Sequence, residues 1–575
     1  MRLFFKSQIL VIMIISVGFN CKPTESVPGS LSVRISREPD QLNPVLSVTS
    51  IAANIQNLLH LPLMDYDPYT QEYVPILAAQ LAETLHEGGM TGYRITIRQE
   101  AVWDDGSPIT AQDVLFTLKA TLDPFVKSDS KRSVIEPIDS ISLSDNPKVF
   151  TFWTDDNYFL DEQSFTNNFI LQESVFDSTQ LLRKVDWNTL KYLNIADSTS
   201  GYRAIAQKFA DQFADPYFGR EGAAGAGPYK IDQWVSNQYL RLKKKTNWWG
   251  HRLSDSAVNF AAYPDEIIYY IIPEEANAVT ALKDGLLDVI ATDISPAMFE
   301  NMKNDSLLST KINFITGPSN RYVYISINNK NPILEDKNTR RALAQLLDLD
   351  QLKQNLFKGY ADRITAPFQP SKSYYDTSLQ PIPFDINRAQ SLLAAAGWID
   401  SDHNGILDKK WLNKRLDLKL RFLATPGGLG QQVAIHMQEQ ARKAGIAIEI
   451  ISKPIHLMLE DMQHHDFELA ALADSQYPGP DDPYPSWSTK SYVEDGQNYT
   501  GFGGAVSDSI IDLIRHSEPG DERTNLYKQF QKIIYDEQPA IFLFAPQNLM
   551  VVNKKWDAKA ASVRPGYFAN DFKLR

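Results

Sequence analysis

Cysteine is nearly absent from this chain: Cys21 is the only one in 575 residues. No intrachain disulfide can form, no cysteine-based structural zinc site can be built, and a cysteine nucleophile would have to sit near the N-terminus. The nine histidines form no HExxH pattern, and the adjacent His464-His465 cannot place both imidazoles on one helical face. A Gly-x-Ser-x-Gly elbow is missing, so the commonest serine-hydrolase signature is excluded. Basic runs are missing too. With a net charge of −13, the chain lacks the phosphate-neutralising surface that dominates nucleic-acid binding. After residue 20 no apolar run approaches the length needed to cross about 30 Å of hydrocarbon, and no repeat of solenoid or propeller period is visible.

What is present begins with a secretory pattern. Arg2 and Lys6 are basic, residues 9–17 are apolar apart from Ser16, Gly18 is small, and Cys21 follows. This arrangement resembles a bacterial lipoprotein signal, although Phe19 and Asn20 are atypical before the cysteine. The expectation is cleavage before Cys21, lipidation of Cys21, and a Pro- and Ser-containing tether over 21–30. Loss of residues 1–20 removes two positive charges and no negative one, taking the net charge from −13 to −15. The more than 500 remaining residues suffice for several cores.

The patterning is mixed α/β. Residues 31–35, 93–98, 149–153 and 322–327 alternate or are rich in β-branched and aromatic side chains, and are predicted strands. Residues 387–396 are predicted helical, with Gly397 as the left-handed stop. A second helix is predicted over 110–119, with Thr110 as N-cap. Residues 418–423, Gly427-Gly428-Leu429-Gly430 and a helix to Gly445 give a strand–glycine–helix unit without nucleotide-loop spacing.

The order of segments resembles the family 5 extracellular solute-binding proteins, the dipeptide- and oligopeptide-binding components of ABC importers. The resemblance is carried by Leu42-Asn43-Pro44, by Val102-Trp103-Asp104-Asp105-Gly106-Ser107-Pro108 leading to Asp113-Val114, by Gly225-Ala226-Gly227-Pro228-Tyr229-Lys230 and by Asn247-Trp248-Trp249-Gly250. Leu282-Lys283-Asp284-Gly285, Ile327-Asn328-Asn329 through Arg340-Arg341-Ala342, and 392–398 agree. It spans nearly the whole chain from Leu31. Residues 105–108 have turn chemistry, and Gly225 and Gly227 read as a tight backbone approach.

The resemblance implies a two-lobed α/β fold of the large type II periplasmic-binding-protein kind, hinged by two crossing strands, with an extra subdomain in lobe I. Carried over, lobe I takes 31–65, 205–310 and 535–575, the subdomain 66–204, and lobe II 311–534. The crossings are expected at 317–320 and near Phe544. The implied function is capture of short peptides by lobe closure and delivery to a membrane permease, by a monomer without cofactor or catalysis. Open alternatives are the same fold binding an oligosaccharide, an opine-like compound or a metal chelate, and a secreted hydrolase.

For the site, the resemblance implies that an extended stretch at 467–477 pairs with ligand backbone and that an Asp closely following it binds the ligand amine. Counted without gaps, that Asp is replaced by Tyr477. Asp474, Asp481 and Asp482 lie near enough to substitute, and Ala473 and Ser475 belong to the strand. Lobe I is expected to contribute the loop around Ser47 and Ser50. Tyr322, Tyr324 and Phe544 are expected at the crossings, and the two tyrosines, two apart on a strand, should share one orientation. One further motif, Asp400, Asp402, Asn404, Gly405 and Asp408, matches the start of a calcium loop. Its twelfth position is Trp411 where a bidentate Glu is required, which argues against a metal.

Overall fold

The computed structural model describes residues 29–575 apart from 156–157, 197–198, 255, 292 and 495. The predicted signal segment and Cys21 lie outside the described residues. Among the described residues no helix is long and apolar enough to cross a membrane.

Two sheets organise the lobes. The first has seven strands in the order Ile312–Gly317, Asn548–Asn553, Val289–Ile290, Ser30–Ile35, Glu266–Ile271, Tyr239–Lys244 and Tyr229–Val235. Ser30–Ile35 is parallel to both its neighbours. Its Leu31, Val33 and Ile35 alternate onto one face, where they meet Ile51, Ile55 and Leu58 of the Ser50–Leu59 helix. The opposite face holds Arg34, whose buried guanidinium donates to the carbonyls of Ile272, Pro273 and Asp293.

The second sheet has six strands, ordered Ala361–Arg363, Ala540–Pro546, Arg321–Ile327, Leu469–Ser475, Lys419–Ala424 and Ala447–Ser452. It is covered on both sides. Val323, Ile325, Leu420 and Leu469 face one cluster, while Tyr322, Phe542 and Ala545 face another containing Trp487, Tyr527 and Phe530. The strand–glycine–helix segment is Lys419–Ala424, then Leu429–Lys443, then the parallel strand Ala447–Ser452. It is a structural βαβ unit.

An inserted subdomain carries a four-stranded antiparallel sheet, Glu83–Glu87, Met90–Thr96, Val149–Thr154 and Ser140–Leu143. The Ala111–Leu122 helix starts with a capping box, in which the Asp113 carboxylate accepts from the backbone N–H of Thr110 at 2.9 Å. Phe116 of this helix packs on Phe209, and Phe209 stacks on Phe213 of the Gly201–Phe213 helix. Each such buried ring stabilises by about 1.5–3 kcal/mol. The helix predicted over 387–396 is Ile386–Ala395, and Gly397 beyond it has φ +84°, the left-handed conformation that ends helices.

Three boundaries differ from those expected from the sequence. Residues 312–317 form a strand of the first sheet, and so belong to lobe I. The Asp521–Glu537 helix and the Ala540–Pro546 strand complete lobe II, so 535–547 move out of lobe I. The Gly201–Phe213 helix is packed into the subdomain core, which extends that unit to at least residue 213. Local periodicity finds the strands but does not say which sheet each one joins, because sheet membership is set by long-range pairing.

Gly225 and Gly227 make the close approach their motif suggests. A Cβ on Gly225 would stand 2.3 Å from His60 Nδ1, and one on Gly227 2.6 Å from the Leu58 carbonyl oxygen. Substituting Gly227→Ala is expected to destabilise lobe I by about 1–3 kcal/mol through overpacking. Urea unfolding of the variant beside the parent measures it.

Candidate functional site

The hinge positions everything that follows. The chain passes from the first sheet to the second through 318–320 and returns through Gln547. Gly317 pairs with Asn548 on one side of the passage and Val323 with Phe544 on the other. Ser319 Oγ donates to the Pro546 carbonyl, and Asn548 Nδ2 donates to the Pro318 carbonyl at 3.0 Å. The crossings are thus tied to each other.

The Leu469–Ser475 strand runs beside this hinge. One edge pairs with Arg321–Ile327 along its whole length, from Leu469 opposite Ile327 to Ser475 opposite Arg321. The other edge pairs with Lys419–Ala424 only at Leu469 and Ala470. From Ala471 onward that edge has no strand partner among the described residues, and Ala473, Asp474 and Ser475 are exposed. An unpaired edge of this kind offers backbone N–H and C=O groups to an extended ligand.

Strand alternation then divides the predicted site residues. Ala473 and Ser475 face the side of Val323 and Leu429, where a cavity of about 380 Å³ opens between the lobes. Asp474 faces the opposite side, where its Oδ2 accepts from the Tyr322 hydroxyl at 3.0 Å. Tyr322 is buried, and with Tyr324 it packs on Phe542 (centroids 6.2 and 6.1 Å), so the two tyrosines do share one orientation. Tyr477 is 76% exposed, and among the described residues only its carbonyl is engaged, by Lys372 Nζ.

Asp481 and Asp482 are both engaged by side chains of the protein. Burial pushes Asp481 up to about 6, against the pull of Lys372 at 3.5 Å and of the Tyr374 hydroxyl, which donates to it at 2.5 Å. Burial likewise lowers Lys372, whose ammonium also donates to the carbonyls of Tyr477, Pro478 and Gly479. Phe544 stands opposite Val323 at the lobe II end of the returning crossing. It is fully buried against Phe357, because a register shift between Phe542 and Phe544 turns it into the lobe II core.

Asp482 joins the lobes. Its Oδ2 accepts from the Tyr158 hydroxyl of the subdomain at 2.8 Å and lies 3.2 Å from Arg515. The Arg515 guanidinium lies between the rings of Tyr158 and Tyr484, at 4.6 and 4.4 Å, and its carbonyl accepts from the Phe159 backbone N–H at 3.0 Å. Tyr66 touches lobe II at Gly479, where an added Cβ would meet its ring at 2.2 Å. A second cavity, of about 610 Å³, lies between 68–71 of the subdomain hairpin and Lys372, Tyr374, Arg523 and Tyr527 of lobe II.

In lobe I, the Ser47 hydroxyl accepts from Gln56 Nε2 at 2.8 Å, and Ser50 opens the Ser50–Leu59 helix behind its Thr49 cap. Lys131 clamps this loop by donating to the carbonyls of Pro44, Val45 and Ser47, and burial lowers its pKa to about 8. The exposed side chain there is Val48. No contact joins Ser47 or Ser50 to the 473–475 segment among the described residues. Sequence reasoning missed Lys131, Tyr158, Lys372 and Arg515, which no motif marks.

The Asp400–Asp408 acids converge, with carboxylate atoms of Asp400, Asp402 and Asp408 within 4.8 Å of one another. Their cation is Arg415, 2.6 Å from Asp402 and 3.3 Å from Asp408, and Asp400 accepts from the N–H groups of Asn404 and Gly405. A guanidinium therefore supplies the charge that a metal would bring.

Asp481 yields a test. Its native pKa of about 6 exceeds the unfolded value near 3.9, so the native state binds the proton more tightly. Native stability from this group is therefore lost as pH rises from 4 to 7, by on the order of 2 kcal/mol. Asp481→Asn should gain stability relative to the parent over that interval, and denaturant melts at pH 4.5 and 8 measure the change.

A family model for bacterial extracellular solute-binding proteins, family 5, matches residues 72–495. The chain is 26% identical over 538 residues to the oligopeptide-binding protein AppA of Bacillus subtilis strain 168, covering 91% of this chain and 87% of AppA. It is 21% identical over 526 residues to the dipeptide-binding protein of Escherichia coli strain K12, covering 88% and 87%. The solved structure of Bacillus subtilis AppA in complex with a nonapeptide superposes with a TM-score of 0.67 at 22% identity, covering 95% of this chain and 99% of that one. With its two lobes, paired crossings and inserted subdomain, the chain belongs to the family 5 bacterial extracellular solute-binding proteins.

Proposed function

We propose that this protein captures short peptides between its lobes and hands them to the membrane permease of an ABC importer. The observation that carries the reading is the unpartnered edge of the Leu469–Ser475 strand, which stops pairing with Lys419–Ala424 after Ala470 and lies beside an interlobe cavity. A peptide is the ligand whose own backbone completes such an edge, and it needs no particular side chains to do so. The oligopeptide- and dipeptide-binding relatives support the same class of ligand.

In this reading the lobes open and close about the tied crossings, and a ligand touching both lobes favours the closed state by its differential affinity. The Tyr158–Asp482–Arg515 contact adds a ligand-independent hold on the closed state. Ala473 and Ser475 stand at the ligand, Asp474 borders it from the other face, and Ser47 and Ser50 belong to the facing loop of lobe I. Cys21 carries a lipid anchor that keeps a monomer beside its permease, and the protein performs no catalysis.

Native mass spectrometry of protein purified from its host is expected to release a ladder of peptide masses. A single uniform non-peptide mass would replace peptide by another solute. Ala473→Trp, which fills the strand edge, should weaken peptide binding at least about tenfold, or 1.4 kcal/mol, with the fold intact. Arg515→Ala should increase the radius of gyration of the unliganded protein in X-ray scattering. It should also weaken binding by roughly 3–10-fold, since cation–π contacts of this kind contribute about 0.5–2 kcal/mol.

A further inference from the structure

The end of the first sheet farthest from the hinge is basic, in a chain of net charge −13. Strand register defines this end. Gly317 pairs with Asn548 at the hinge, and the same two strands finish far from it, at Ile312 opposite Asn553. Ser30 opposite Glu266 and Tyr229 opposite Lys244 lie at that far end too. Seven strands spaced by about 4.8 Å make it roughly 29 Å wide. Lys230, Lys244, Lys311, Lys554, Lys573 and Arg575 stand along it. Its acids are already matched: Asp265 with Lys244 at 2.6 Å, Asp288 with Lys555 at 2.8 Å, and Asp557 with Arg575 at 3.3 Å. Lys230, Lys311 and Lys554 are exposed and make no ion pair among the described residues.

Two further features lie at the same end. A recess of about 330 Å³ opens between Lys230, residues 245–249 and the 102–106 turn of the subdomain. Within it Lys245 is paired with Asp104 at 2.8 Å, which leaves the charge of Lys230 unmatched beside the exposed Thr246 and Asn247. Leu574 is 50% exposed between Lys573 and Arg575, an apolar side chain flanked by cations. The first described residue, Gly29, is also here, its carbonyl accepting from the Asp265 backbone N–H at 2.9 Å. Cys21 precedes Gly29 by eight residues, so even a fully extended tether reaches no more than about 29 Å. A lipid on Cys21 would therefore hold this end of lobe I, rather than lobe II, nearest the headgroups.

We propose that this end of lobe I is a membrane-apposed face that binds the anionic headgroups of phospholipids. It rests on the lipid-anchor reading above for its orientation. Unmatched lysines attract anionic headgroups over a Debye length of about 10 Å, and the acidic remainder of the protein lies mostly beyond that range. The tether raises the local concentration of headgroups, so individually weak contacts suffice. Because the face and the hinge are at opposite ends of the sheet, binding to the membrane leaves the cleft open to its ligand.

The test uses the full mature chain with Cys21→Ser, which cannot be lipidated, sedimented with vesicles of phosphatidylcholine alone or mixed with phosphatidylglycerol. This chain is expected to bind the phosphatidylglycerol vesicles at least about tenfold more tightly than the neutral ones, and added salt should abolish the difference. K230E/K311E/K554E should lose at least about tenfold in affinity for the anionic vesicles. K414E/K490E/K528E makes the same charge change at exposed lysines of lobe II and should lose less than about twofold. Circular dichroism should show both variants folded. No preference for phosphatidylglycerol, or an equal loss in the two triple variants, overturns the face. Lipidation is read separately, by mass spectrometry of the N-terminal peptide of the unsubstituted protein extracted from host membranes. An unmodified Cys21 removes the anchor reading, and vesicle binding alone then upholds or overturns the face.

Discussion

The pairing of the two crossing segments on both sides of the hinge governs the rest of the molecule. Gly317 is matched to Asn548 in the first sheet, and Val323 to Phe544 in the second. The two lobes are therefore continuations of one antiparallel pair, interrupted for a few residues where Ser319 and Asn548 tie the strands together. Rotation about that interruption would leave both sheets intact, because their ladder hydrogen bonds lie within each lobe. The same continuity places the Leu469–Ser475 strand beside the hinge, with the edge beyond Ala470 next to the interlobe cavity.

Charge placement follows from this architecture. Acids and lysines near the cleft are mostly engaged within their own lobe: Asp481 with Lys372 and Tyr374, Lys131 with three loop carbonyls. These contacts offset the desolvation of buried charge and hold loops in place. Asp482 is different, since Tyr158 and Arg515 make it a bridge between lobes at a distance in sequence of more than 300 residues.

Much of the fold was legible locally. Alternation placed the strands at 31–35, 149–153 and 322–327 within a residue or two, and Thr110 and Gly397 marked helix ends through capping chemistry that acts within one turn. The glycines at 225 and 227 announced a close approach without saying to what. The site was less legible. Phe544 lies next to the crossing in sequence, yet one shifted residue in the ladder sends its ring into the core. Asp481 and Asp482 resemble exposed turn acids until Tyr374, Lys372, Tyr158 and Arg515 arrive from segments that share no motif with them.

The sequence by itself determined the class of fold and the positions of many of its strands and helix ends. These depend on periodicity, turn chemistry and a succession of motifs, all readable along the chain. Only the tertiary structure decided which face of the Leu469–Ser475 strand each side chain occupies and which acids are already paired. Those properties arise from contacts between residues hundreds of positions apart, and strand register, once set by pairing, assigns alternate neighbours to opposite sides of the sheet.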